Sequence, residues 1–98
     1  MHDQTLVTVS AALIRDPRLS ARAKGVFAVL ASFREDERIS AQAIAAASSE
    51  GRGATLTALR ELEELGYLTR TQHRRPNGQL SAAEWTITDT PPPHLKAL

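Results

Sequence analysis

Ala58-Leu59-Arg60-Glu61-Leu62-Glu63-Glu64-Leu65-Gly66-Tyr67-Leu68 changes its periodicity near its end. Up to Leu65 the apolar residues recur at three- and four-residue steps, the period of a helix with one buried face. At about 100° per residue, Thr55, Ala58, Leu59, Leu62 and Leu65 fall within one sector of roughly 120°. Gly53, Thr57, Arg60 and Glu64 lie opposite. The spacing predicts a helix from about 51 to 65, with Gly66 where a left-handed residue stops it. From Tyr67 the pattern becomes β. Tyr67 to His73 and Leu80 to Thr88 read as two strands, with Trp85 and Ile87 on one face. Pro76-Asn77-Gly78 between them suits a three-residue hairpin loop, Gly78 taking its left-handed position.

Upstream, Ser40 opens a shorter helix in which Ala43, Ile44 and Ala47 form a narrow face, ending near Ser48. Ser20 opens a longer one, where Leu19, Ala23, Val26, Phe27, Leu30 and Phe33 make one apolar face. Ala11 to Arg15 is a short apolar turn with helical character up to Asp16-Pro17, because the residue before a proline is pushed out of the helical region. Thr5-Leu6-Val7-Thr8-Val9 is β-branched and reads as an edge strand. Thr90 to Leu98 begins as extended polyproline and adds little to a core. The expected organisation is therefore one domain over residues 1–89 and a proline-rich tail over 90–98.

Composition narrows the chemistry. The 98 residues suit one compact domain, too small to hollow out a deep substrate cavity. The absence of cysteine excludes disulfide scaffolds, thiolate zinc sites and thiol catalysis, and fits a reducing cytoplasm. No apolar run approaches the roughly 18 residues of a membrane span, and no basic stretch leads into an apolar signal segment, so a soluble, unexported protein is expected. His2, His73 and His94 are scattered, which speaks against a metal site. Gly51-Arg52-Gly53 lacks the Lys-Ser or Lys-Thr of a phosphate-binding loop, and no serine sits in a nucleophile elbow. No catalysis, cofactor, metal or small-molecule ligand is expected.

The net charge is only +1, but it is unevenly placed. Leu65 to Ala83 has no acid and carries Arg70, His73, Arg74 and Arg75. Gly51 to Arg60 is also free of acids and holds Arg52 and Arg60, while Glu61, Glu63 and Glu64 crowd behind them. Arg15 to Lys24 is a third basic stretch, against Asp16 alone.

The order strand, helix, helix, tight turn, helix, hairpin resembles the winged helix-turn-helix family over residues 5–88. Leu19-Ser20-Ala21-Arg22-Ala23-Lys24-Gly25, Ile39-Ser40 and Ala58 to Leu68 look most like the winged-helix domains of bacterial and phage replication initiators and related regulators. The resemblance implies a mostly helical α+β fold: a three-helix core, a short N-terminal strand and a C-terminal hairpin wing over about 67–88. It implies that the helix over 51–65 enters the major groove of double-stranded DNA by its N-terminal half, while the wing meets the backbone or the minor groove. Arg52, Gly53, Leu56, Thr57 and Arg60 occupy the matching helix positions, and Arg74, Arg75 and Asn77 the wing tip. Gln42 stands where the preceding helix braces a phosphate.

In that scheme Arg52 and Arg60 reach guanine or phosphate, Thr57 bonds either, and Gly53 admits close approach of the backbone. Glu61 to Glu64 point away from DNA. Leu56, about 120° from the core centre, touches thymine methyls or marks a partner surface. Two features depart from the family: the turn before this helix, with Ser49 where glycine is frequent and Gly51 where a capping serine is frequent, and Leu56, at a position that is often polar or basic in relatives. Simpler readings stand beside these roles. Arg74 and Arg75 suit a solvated hairpin tip, and Arg52 and Arg60 could pair with Glu50, Glu63 or Glu64 for about 0.3–0.5 kcal/mol each. The reading that follows is a sequence-selective DNA-binding transcriptional regulator. Its alternatives are a replication or plasmid-maintenance factor and a winged-helix protein-interaction module docking through Leu56. Paired half-sites would favour a homodimer, but no long dimer helix is visible.

Overall fold

Three serines start three helices. Ser10, Ser20 and Ser40 hold extended backbone, and their hydroxyls accept from the amides of Ala12, Ala23 and Ala43, satisfying donors that a helix start otherwise leaves unpaired. They open α1 (Ala11–Ile14), α2 (Ala21–Ala31) and α3 (Ala41–Ala46) in a computed structural model that describes residues 6–34, 37–71, 76–78 and 84–91. α4 (Arg52–Glu64) starts at Gly51 with no side-chain cap, as the glycine in the capping position implied.

α4 ends as expected. Gly66 adopts φ 84°, the amide of Tyr67 donates to the Leu62 carbonyl at 2.9 Å, and that of Gly66 donates to Glu63 at 3.2 Å. This paired closure satisfies two C-terminal carbonyls and turns the chain straight into β1 (Leu68–Thr71). β1 pairs antiparallel with β2 (Glu84–Ile87), Leu68 opposite Ile87 and Arg70 opposite Trp85. Gly78 takes the expected left-handed conformation at φ 90°.

The core gathers Leu13, Leu19, Phe27 and Leu30 from the first half and Leu59, Leu62, Tyr67 and Leu68 from the second. Ala23 on α2 and Ala58 on α4 are fully buried, and their small side chains suit the close packing of those two helices. Ile44 brings α3 onto the same core, and the ring of Phe27 meets Tyr67 edge-on with centroids 6.4 Å apart.

The architecture is mostly helical α+β, and one expected element is missing from it. Leu6–Val9 is not a strand; the described sheet consists of β1 and β2 alone, and Thr5 lies outside the described residues. A β-branched run becomes a strand only where a neighbouring edge receives it. Here the segment is instead tied down at its end, where the Ser10 amide donates to Asp89 Oδ2 at 2.6 Å, leaving Leu6 90% exposed. α1 forms where a short helical turn is expected and contributes Leu13 to the core beside the three longer helices. α3 also stops at Ala46, two residues before the expected end. Pro91 is buried, while 92–98 lie outside the described residues. Among the described residues no helix is long and apolar enough to cross a membrane.

Candidate nucleic-acid interface

α4 divides cleanly. Thr55, Ala58, Leu59 and Leu62 are buried, whereas Arg52, Gly53, Thr57, Arg60 and Glu64 are exposed. Positions 53, 57 and 60 follow one another at four- and three-residue steps, so they form a single outward stripe, with Arg52 at its N-terminal flank. Neither Arg52 nor Arg60 forms an ion pair with any described residue. The pairing of these arginines with Glu50, Glu63 or Glu64 considered from helical spacing is therefore not what the fold does. Thr57, exposed, turns its hydroxyl back to donate to the Gly53 carbonyl at 3.1 Å, which uses its proton within the helix.

Leu56 is half-buried: one side packs against the core and part of the residue remains exposed. α4 is held by α2, α3 and β1 together, so its covered arc is wider than a sector calculated from its own sequence.

The acidic half of α4 has structural duties. Glu61 reaches back to the start of α2, accepting from the Ser20 amide and hydroxyl, each at 2.9 Å. Glu63 takes a two-pronged bond from Arg70, at 2.6 and 3.0 Å, and the Arg70 guanidinium lies 5.1 Å from the centre of the Trp85 ring. The paired carboxylate raises the Arg70 pKa, and the charge that β1 seemed to add is neutralised within the fold. Trp85 is half-buried against the core, as its period with Ile87 suggested. Glu50 meets Arg22 at 3.3 Å. Among the described residues, carboxylates thus compensate Arg18, Arg22 and Arg70, while Arg52 and Arg60 of α4 face outward without one, as Arg15 and Arg38 do elsewhere on the surface.

Beneath this helix lies a polar lock that periodicity does not reveal. Asp16 is 6% exposed and accepts four bonds: from the Arg18 amide at 2.9 Å, from Arg18 Nε at 2.9 Å and Nη2 at 2.6 Å, and from the Tyr67 hydroxyl at 2.7 Å. The Arg18 side-chain bonds, above all, hold the Asp16 carboxyl far below the usual carboxylate range against the opposing effect of burial. Arg18 is raised by the same bonds, and burial is the main cause that pushes the Tyr67 phenol up. Tyr67 stands where α4 hands over to β1, so the lock joins the α1–α2 connection to the exit of α4. The one sequence signal for it is Asp16-Pro17-Arg18, whose aspartate can bond the backbone two residues on.

The remaining candidates are placed as follows. Gln42 is exposed on α3, which packs against α4. Asn77 is exposed in the turn before β2. Arg74 and Arg75 lie outside the described residues.

Residues 18–68, just over half of the chain, match the protein-family model described as a helix-turn-helix domain. The chain belongs to this helix-turn-helix family. The matched span of the helix-turn-helix domain runs through α2, α3 and α4 to the first residue of β1, so the outward stripe of α4 lies wholly within it. Such modules lay their second helix against DNA, and membership supports DNA binding. The chain matches no curated protein and no solved structure.

Proposed function

We propose that this helix-turn-helix domain is a sequence-selective double-stranded DNA-binding module of a transcriptional regulator. α4 enters the major groove by its N-terminal half, and the β1–β2 region acts as a wing against the backbone or the minor groove. The observation that carries the reading is the contrast between the arginines. Arg18, Arg22 and Arg70 are compensated by carboxylates, while Arg52 and Arg60, on the exposed stripe with Gly53 and Thr57, have no carboxylate partner among the described residues. A guanidinium without an internal partner can give two parallel bonds to guanine or to phosphate. Thr57, its proton already used, is left to accept from a base amine or to touch a thymine methyl. Gly53 keeps the surface low, since a Cβ there would meet nothing within 4 Å. Leu56, half-buried against the core, offers only part of its side chain to a docking partner.

The test is fluorescence anisotropy of the full chain against a mixed-sequence duplex across a salt series. With about four to six phosphates contacted, the logarithm of the affinity falls with the logarithm of salt at a slope of about 4 to 5. Arg75→Ala weakens all duplexes alike and lowers that slope by about one, whereas Arg60→Ala costs about 1–3 kcal/mol on a selected site and relaxes its sequence preference. An absence of binding at low salt sinks the proposal, and an unchanged slope in Arg75→Ala sinks the wing assignment.

A further inference from the structure

α2 carries a glycine that its own packing does not explain. Gly25 lies in the middle of an eleven-residue helix, where glycine is a poorer helix former than alanine. It has no positive φ, and a Cβ built on it would meet nothing within 4 Å. Neither backbone conformation nor a neighbouring side chain requires the residue. What it does is deepen a groove of about 590 Å³ between α2 and α3, a size ordinary for small-ligand sites. Val26, Val29 and Ile44 give the groove its apolar wall.

One end of the groove is charged. Arg22 and Glu50 line it and meet through a single contact of 3.3 Å between side chains that are 46% and 44% exposed. The other two ion pairs are two-pronged and close to 2.6 Å, so this is the loosest of the three among the described residues. Ser48 also lines the groove. Its oxygen accepts from the Glu50 amide at 3.2 Å, which leaves its proton available as a donor.

We infer that this groove is a binding site for a monocarboxylate with an apolar body, the carboxylate taking Arg22 from Glu50 and the body lying along Gly25 and Val29. Charge complementarity selects the ligand class: Arg22 already holds a carboxylate here, weakly, and away from this end, where Glu50 and Ser48 also stand, the wall is apolar. Arg22 and Val29 stand seven residues apart on α2, about 10 Å along its axis, the reach of an extended medium-length fatty chain. The sequence pointed to no small-molecule ligand because the site draws on α2, α3 and the α3–α4 connection, which are separated in the chain. The site is independent of the DNA-facing stripe of α4, and its test needs no DNA.

The probe is sodium octanoate, titrated into isotope-labelled full chain and followed by backbone amide NMR, with 1-octanol as the uncharged control. Octanoate is expected to give saturable shifts at Gly25, Val29 and Ser48 with millimolar affinity, and octanol to bind about tenfold or more weakly. Arg22→Gln removes that preference. Gly25→Leu fills the groove and abolishes binding while its melting temperature stays at or above that of the wild type, so loss of binding is not loss of fold. Equal affinity for octanol and octanoate, full binding by Arg22→Gln, or no saturation overturns the assignment. So do shifts at Gly25 that follow protein concentration without octanoate, because a second copy of the chain would then be the occupant.

Discussion

Tyr67→Phe removes one oxygen and leaves the ring that packs on Phe27. The lost bond is the 2.7 Å donation to Asp16, made by a residue only 2% exposed to a carboxylate only 6% exposed. Hydrogen bonds to charged acceptors contribute about 1.5–3 kcal/mol. The lower part of that range applies, because Asp16 keeps its three bonds from Arg18. The expected loss is about 1.5–2 kcal/mol. For a chain of this length, that lowers the melting temperature by about 6–16 °C. Urea unfolding followed by circular dichroism at pH 7 measures it, and Asp16→Asn with Tyr67→Phe completes a double-mutant cycle that isolates the pair. A loss below about 0.5 kcal/mol, or a coupling indistinguishable from zero, would refute the claim that this bond ties the α1–α2 connection to the end of α4.

Acid should act through the same carboxyl. The folded Asp16 pKa is depressed, while an unfolded aspartate titrates near 3.9, so the unfolded chain takes up the proton first. Its stabilisation is complete above about pH 5 and declines as the pH falls through 4 toward 2 and below; urea titrations from pH 7 to 2 should show this, with a shallower decline in Asp16→Asn. Glu61→Ala strips the carboxylate that Ser20 donates to at the start of α2 and should cost about 1 kcal/mol in chemical denaturation. Gly25→Ala should stabilise the chain by about 0.5–1 kcal/mol in the same assay, because the added methyl meets open space and favours the helix.

The helices were legible because each obeys local rules. Serine caps at 20 and 40, the three-and-four spacing of α4 and the glycine at 66 all concern residues within one turn of each other, and all recur in the structure. Leu6–Val9 shows the limit of that reasoning: its composition is that of a strand, but strand formation depends on an edge elsewhere in the chain. The half-burial of Leu56 is hard to read for a related reason, since it is decided by how many elements surround α4. The side-chain bonds between distant segments were the least legible part. Asp16 meets Tyr67 across 51 residues and Ser20 meets Glu61 across 41, separations at which no periodicity operates. Even Arg70 and Glu63, seven residues apart, lie across the turn at Gly66, where helical spacing no longer predicts neighbours. Those partners turned a run of basic residues into a sorted set, some engaged internally and some facing outward.

The split between the two faces of α4 bears on how such a domain changes its target over time. Leu59, Glu61 and Leu62 hold the fold, while Arg52, Gly53, Thr57 and Arg60 contribute little to it, although they alternate with structural residues along the same thirteen-residue helix. Substitutions at the outward positions are therefore nearly free of a stability penalty and can accumulate in any order. If α4 reads DNA as proposed, new preferences can be sampled one residue at a time without passing through unfolded intermediates, which suits this helix to divergence and to a four-position selection library.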